Sequence, residues 1–406
     1  MLKGTESKEL QPKLIMQGRR SARNIQKRSQ TSDQSQNVAS KKMKKTEARV
    51  QIYKVQSLFR NGVDLLLRSD EPHVEEVIET IFKEYYKNVM PRLPLKQPDW
   101  NKMDSVGLLA FLDIFNTAAE KFKEEVFQRR RALLTPARWQ KVHLDSDSFQ
   151  EGHLVTVLAR MLSARDERVL KKHYKSFSSE TYGATTTQQM KNILDQLNVT
   201  KEDVIIDLGS GIGQLVTFTA SYADVAKTYG IEKCPRPAEI ATRVSENFKR
   251  LMAFFGKVPS PYKLIEGDFL TDENKERIKK ATIIIANNLL FDDKLMKKLK
   301  EIFYFCNSGT RIVVTKLIDN TRMTEDNFSE HFDSYSDTVP LNGIDRQVEW
   351  TKNNVPFWVT TMDQEKVFRV GAEYGAQKEE QEAKLEAKRL TRAQNAEMRN
   401  GRNTSS

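Results

Sequence analysis

Between residues 204 and 316, five short runs of β-branched and apolar residues alternate with longer stretches of helical spacing. This alternation constrains the fold more than anything else in the chain. The runs are VIIDL (204–208), TYGIE (228–232), YKLIEG (262–267), TIIIANN (282–288) and TRIVVTK (310–316). Helical stretches such as PAEIATRVSENFKRLMAFFG and DDKLMKKLKEIFYF separate them. Strands joined through helices must run parallel, which predicts an α/β, doubly wound, mostly parallel sheet. A last piece, QVEWTKNNVPFWVTTMD, reads as two short strands around a turn and predicts an antiparallel edge.

Ahead of the sheet, residues 51–175 have a helical pattern. EPHVEEVIETIFKEYYKNVM puts Val74, Val77, Ile78, Ile81, Phe82 and Tyr85 on one stripe at spacings of three and four. Asp70 and Glu71 before Pro72 predict a helix start there. LLAFLDIFNTAAEKFKEEVF and LVTVLARMLSARDERVLKKHY behave similarly. The expected organisation is a disordered basic tail (1–50), a helical N-terminal subdomain (51–175), the sheet domain (176–370) and a charged C-terminal helix or tail (371–406).

Charge sits at the ends. The net charge is +11, yet residues 1–50 alone carry 13 Lys/Arg against 4 acids, and residues 376–406 carry 7 against 5. The stretch between has 46 of each. The first 50 residues, with no aromatic, cannot bury enough surface to offset their ordering entropy. Such an arm, with KKMKK at 41–45, suits a polyanionic partner, a nuclear-import signal, or both. No run of 18 apolar residues is present, and the N-terminus lacks the apolar core of a secretory signal. Two cysteines and five scattered histidines argue against a disulfide framework or a four-ligand zinc site. The expectation is an intracellular protein with neither a metal nor a membrane span.

The first run continues as VIIDLGSGIGQLVTFTA, with Gly209, Gly211 and Gly213 at alternate positions. A dinucleotide fingerprint would place its third glycine where Gln214 stands. Asp207 at the strand end would repel a phosphate but can face a cation or hold the loop. Glu232 ends the next strand, where a carboxylate can accept both hydroxyls of a ribose. Asp268 and Phe269 in EGDF end the third, where an acid and a ring can meet an adenine's amine and face. Together these fit a nucleoside with a nearby positive centre, as in S-adenosylmethionine. A glycine turn that merely connects strand and helix, and nicotinamide binding, remain the rival readings.

At the end of the fourth strand stands Asn287–Asn288, an amide pair that packing alone does not explain. The Asn287 carbonyl can accept from an attacking amine; a turn-forming pair is the alternative. KSFSSETYGATTT (175–187) can lie over the cofactor as a lid, and VEWTKNNVPFW offers an aromatic channel for the stem of a lysine. A lysine amine attacks a sulfonium methyl only when neutral, which at pH 7 costs about 4.6 kcal/mol in a solvated side chain. Desolvation in an apolar channel beside a cation supplies most of that, so no dedicated base is required.

In order and spacing, FSSETYGATT, VIIDLGSGIGQLV, YGIEK, EGDFLTDENKERI, ANNLLF and VEWTKNNVPFW resemble the disruptor-of-telomeric-silencing ("Dot-one") histone H3 lysine methyltransferases over about 150–370. The resemblance implies a helical N-terminal subdomain joined to a seven-strand class I methyltransferase fold. It also implies S-adenosylmethionine as donor and a lysine in the globular core of histone H3 as acceptor, on a nucleosome in the nucleus. The family's cofactor contacts fall on Tyr182, Gly183, Thr185, Asp207, Gly209, Ser210, Gly211, Gly213, Gln214, Glu232, Asp268, Phe269 and Asn287. Asn287, Tyr182 and Thr185 form the catalytic set, and Phe177, Leu289, Trp350 and Phe357 the lysine channel. Three positions depart from the family pattern: Ala184 replaces a lid Glu, Leu289 replaces a Phe, and Phe357 stands where a Tyr is common. Two rival functions are a cofactor-binding chromatin scaffold without catalysis and an amino methyltransferase acting on nucleic-acid bases. The latter is disfavoured because NNLLF lacks the proline pair and aromatic such enzymes place after the Asn.

Overall fold

The computed structural model describes residues 50–58, 62–86, 90, 93–129, 146–163, 184–349, 351 and 353–403. The basic tail, Val50 apart, therefore lies outside the described residues, as do Phe177, Tyr182, Gly183 and Trp350.

In chain order the elements are β1 (Ile52–Val55), β2 (Leu65–Arg68), α1 (Val74–Thr80), α2 (Ser105–Arg129), α3 (Ser146–Met161) and α4 (Thr187–Gln196). Then come β3 (Val204–Leu208), α5 (Gln214–Tyr222), β4 (Lys227–Glu232), α6 (Pro235–Phe254), β5 (Tyr262–Glu266), α7 (Asp272–Lys280), β6 (Ile283–Ala286) and α8 (Asp293–Phe303). The chain closes with β7 (Arg311–Val314), β8 (Ser336–Pro340), β9 (Trp358–Met362) and α9 (Lys366–Asn403).

Strands β3 to β9 make one seven-stranded sheet in the order β5-β4-β3-β6-β7-β9-β8. The first five are mutually parallel, while β9 is antiparallel to both β7 and β8. Because side chains alternate across a strand, the central strands are apolar on both faces. Ile205, Ile283, Ile285 and Val313 pack on one side with Phe218 of α5 and with Met190 and Ile193 of α4. Ile206, Leu208, Ile284 and Ile312 pack on the other with Ile278, Leu299 and Phe303 of α7 and α8. Each such buried side chain contributes roughly 1.5–3 kcal/mol.

Local signals set the helix entries. Asp292 accepts the Leu295 N–H at 2.7 Å ahead of α8, Thr186 accepts that of Gln189 at 3.3 Å ahead of α4, and α6 opens on Pro235.

Three expectations need correction. The region read as helical opens on a two-stranded antiparallel sheet, β1–β2. Helix α1 starts at Val74 behind His73, which takes φ +52°, and not at an acidic cap. Asp70 is engaged by Arg68 at 2.8 Å and Glu71 by Arg250 at 3.2 Å. Finally, the partner of β9 is β8, upstream. Among its described residues, the 347–357 segment is a loop without a strand of its own. It forms an isolated bridge, Thr185 to Val348, its Gln347 and Glu349 backbones bond Thr186 and Ala184, and Val348, Val355 and Phe357 are buried in the core on the α4 and α5 side.

The N-terminal elements share a third core with α6. Val77, Ile78, Phe82, Phe115 and Leu158 pack with Ile240, Val244, Phe248 and Leu251. The last helix, α9, leaves almost every described side chain beyond Val370 in solvent, apart from Tyr374, whose ring lies 5.4 Å from that of Phe328.

Candidate functional site

A cavity of about 460 Å³ opens at the carboxyl ends of β3, β4, β5 and β6. This is where an open α/β sheet binds ligands, because the order reverses between β3 and β6.

The turn after β3 builds its floor. Gly209, Gly211 and Gly213 all take positive φ, at +83°, +55° and +77°, a conformation that side-chain-bearing residues rarely adopt. The N–H groups of Gly209 and Ser210 donate to the Ile231 carbonyl at 2.9 and 3.1 Å, stitching the turn to β4. A Cβ placed on Gly209 would meet nothing within 4 Å, so the turn faces open space. Beneath it Gly230 is indispensable, since a Cβ there would lie 2.7 Å from both Ser210 Oγ and Val216 Cγ2. Sequence reading passed over Gly230, although a glycine inside a strand signals close approach by another backbone.

Glu232 is buried at the end of β4. Its Oε2 accepts the Gly211 N–H at 2.8 Å and its Oε1 that of Cys234 at 2.7 Å. Both carboxylate oxygens are thereby anchored to the backbone of the turn and of the segment after β4. Burial raises its pKa, against the lowering effect of these N–H bonds. Asp207, also buried, has no such support: desolvation, with the Glu232 charge nearby, pushes it up to about 7. A buried, poorly compensated carboxylate lining a cavity is suited to a cation.

Asp268 accepts the Leu270 N–H at 2.8 Å and pairs with Lys233 at 3.2 Å. Phe269 is buried, its ring 6.3 Å from that of Phe291 with the planes 27° apart.

The two asparagines divide their work. Asn288 is 1% exposed, and its Oδ1 accepts the N–H groups of Thr315 (2.9 Å) and Lys316 (2.8 Å) while its Nδ2 donates to the Lys316 carbonyl at 2.8 Å. It fastens the end of β6 to the end of β7. Asn287 lines the cavity, and its Oδ1 accepts the Thr315 hydroxyl at 3.1 Å.

Among the expected residues, the cavity brings together Thr185, Asp207, Gly209, Ser210, Gly211 and Gln214 on one side. Glu232, Asp268, Phe269, Asn287 and Phe357 complete it. Gly213 shapes the turn from behind, against Leu264, and does not line the cavity. Leu289 also stands outside it, 39% exposed. Ala184 lines it, as do Met190 and Ile193 of α4, which sequence reading missed; their i, i+3 spacing on an amphipathic helix was the available signal.

A sheet in this order, with its last inserted strand antiparallel and a glycine turn and acidic strand ends around the cleft, is the class I methyltransferase fold. Residues 161–362 match the family model described as "Histone methylation protein DOT1". The chain belongs to this Dot1 family. A Caenorhabditis elegans protein named "Histone-lysine N-methyltransferase, H3 lysine-79 specific" is 34% identical over 335 residues, covering 81% of this chain and 34% of that protein. One of the same name from Drosophila melanogaster is 38% identical over 194 residues, 47% of this chain and 10% of its own length. The chain thus spans about a third or less of these two relatives. Among solved structures, an RNA methyltransferase from Salinibacter ruber in complex with S-adenosyl-L-homocysteine is 18% identical, covering 45% of this chain and 94% of its own, with a TM-score of 0.31, too loose a likeness to carry an argument. Among the described residues no helix is long and apolar enough to cross a membrane.

Proposed function

We propose that the chain is a histone-lysine N-methyltransferase. In this reading it transfers a methyl group from S-adenosylmethionine to a lysine in the globular core of histone H3 on nucleosomes. The relatives' names point to lysine 79. The observation that carries the reading is the convergence of the family's glycine turn, the buried Asp207 and Glu232 carboxylates and Asn287 on one cavity within the segment that matches the family model. The residues present fit the cofactor: Glu232, a carboxylate at the end of β4 in the cavity wall, can accept from ribose hydroxyls, Asp268 and Phe269 supply an acid and a ring for adenine, and Asp207 offers charge to a cationic centre.

When bound, S-adenosylmethionine supplies an electrophilic methyl on a sulfonium. The chain's own part is positioning and desolvation. Phe357, Ile285 and Val313 give the cavity an apolar side that lowers the pKa of an entering amine. Asn287, steadied by Thr315, offers its Oδ1 to an N–H of that amine. The family resemblance assigns Tyr182, Gly183 and Thr185 to the lid, Tyr182 and Thr185 to the catalytic set, and Phe177 and Trp350 to the channel; of these, Thr185 alone is among the described residues. Outside the sheet, the cationic residues 1–50 add non-specific affinity for nucleosomal DNA, and the site of action is the nucleus.

The test is transfer of label from S-adenosyl-[methyl-³H]methionine to whole nucleosomes, free H3 and nucleic acid, followed by mapping of the modified residue. Label on a core lysine of H3, stronger on nucleosomes, is expected. Label on nucleic acid alone, or cofactor binding with no transfer, replaces this reading with a base methyltransferase or a non-catalytic scaffold. Ala184 in the cavity wall, where the family carries a Glu, is what keeps the scaffold in contention.

A further inference from the structure

Arg160 in the last turn of α3 belongs to none of the expected motifs, yet it reaches the wall of the cavity. Its guanidinium grips Glu349 with both prongs, Nη1 to Oε1 at 2.9 Å and Nη2 to Oε2 at 3.0 Å. Its Nη1 also donates to Gln214 Oε1 at 3.3 Å. The Arg160 side chain is 15% exposed and that of Glu349 36%, so the guanidinium is sheltered while the carboxylate meets solvent. Glu349 in turn donates its N–H to the Ala184 carbonyl at 2.9 Å, next to the bridge between Thr185 and Val348. One guanidinium therefore ties together the 184–185 strip, the 347–349 segment and the first residue of α5.

The contact with Gln214 carries a chemical consequence. A guanidinium has five donors and no acceptor, so the amide atom that faces it must be the carbonyl oxygen. The NH₂ group of Gln214 is then turned away from Arg160, and Gln214 lines the cavity. A group so fixed can only donate, and the ligand chemistry that answers a donor is an anion or carbonyl. Without Arg160 the amide can flip and present its oxygen instead, which would repel a carboxylate.

We propose that Arg160 is a positioning residue of the cofactor site: it holds the Gln214 amide as a donor toward the carboxylate of the cofactor's amino-acid end and latches the 184–185 strip beside it. This rests on the cofactor assignment above. A lysine at 160 keeps the charge but lacks the planar fork, so it restores the function only in part.

The experiment is calorimetric titration of the full chain with two ligands: S-adenosylhomocysteine, which has the amino-acid end, and 5′-methylthioadenosine, which lacks it. Arg160→Met is expected to weaken the first about tenfold and the second by less than twofold, with Arg160→Lys in between. Unchanged affinity for S-adenosylhomocysteine in Arg160→Met overturns the proposal, and so does an equal loss for both ligands, which would mean a general collapse of the wall. If the unaltered chain binds neither ligand, the cofactor assignment itself falls and takes this role with it. If it binds both and the variants do not discriminate, only the role of Arg160 is lost.

Discussion

Asn287 and Asn288 share one donor: the Thr315 hydroxyl lies 3.1 Å from Oδ1 of the first and 3.2 Å from Oδ1 of the second. The neighbours nevertheless answer to different demands. Asn288 is a clasp between two strand ends, and removing it strands two N–H groups and a carbonyl in the interior. Asn288→Ala is expected to cost on the order of 3 kcal/mol of stability, read as a lower denaturant midpoint at unchanged slope. Asn287→Ala should leave that midpoint and cofactor affinity nearly unaltered and reduce single-turnover methyl transfer about 10²-fold or more. Equal effects of the two substitutions on stability would show Asn287 to be structural as well.

The same shared donor makes Thr315→Val informative. It keeps the shape of the side chain and deletes the hydroxyl, removing one of the contacts that hold the Asn287 amide. Turnover should fall several-fold while the dissociation constant for S-adenosylhomocysteine stays within twofold, as rapid-quench kinetics beside calorimetry would report.

Gly230 supports the glycine turn from below. A methyl group there collides with Ser210 and Val216, so Gly230→Ala should destabilise the chain by about 1–3 kcal/mol. Because it displaces Ser210 in the cavity floor, cofactor affinity should drop with it. Gly211→Arg attacks the same floor from above and should abolish binding altogether; heat of binding retained by that variant would remove the turn from the site.

Asp207 gives the site a pH signature. Its carboxyl is raised to about 7 from an ordinary value of 3.8, so the folded chain keeps a proton that the unfolded chain gives up. Its effect on stability is therefore absent below pH 4, grows as a penalty between pH 4 and 7, and is constant above. Asp207→Asn should gain melting temperature relative to the parent across that window and hold the gain beyond it. A cationic ligand must displace the proton, so affinity for S-adenosylmethionine should rise with pH, by at most tenfold per unit, and level off above 7. The Asn variant should bind more weakly at pH 8 and show no such slope.

The basic arm is testable by salt. Deleting residues 1–50 should lower nucleosome affinity and flatten the dependence of log K on log salt, since fewer counterions are released on binding. An unchanged slope would reduce the arm to an import signal.

The sheet strands β3 to β7 were readable because each is a short β-branched run bounded by helical spacing. That Asp207, Glu232 and Asp268 stand at or just past the ends of successive strands was readable because each closes a β-rich run; the structure adds that they line one cavity. The loop at 347–357 was misread for a physical reason: its aromatic composition is that of a strand, but its residues 347–349 pair with the short 184–186 strip, and β9 pairs instead with β8. The acids at 70–71 mimic a cap, yet arginines at 68 and 250 claim them. Arg160 and Thr315 were invisible to any spacing argument, because their partners lie 189 and 28 residues away.

The face of α6 that carries Val244, Phe248 and Leu251 is roofed by the N-terminal elements and not by solvent. Proteolytic excision of the sheet from what precedes it would therefore leave a greasy scar along one helix, and the liberated fragment should precipitate or self-associate. The two regions therefore share one apolar seam, and each depends on the other to keep it dry.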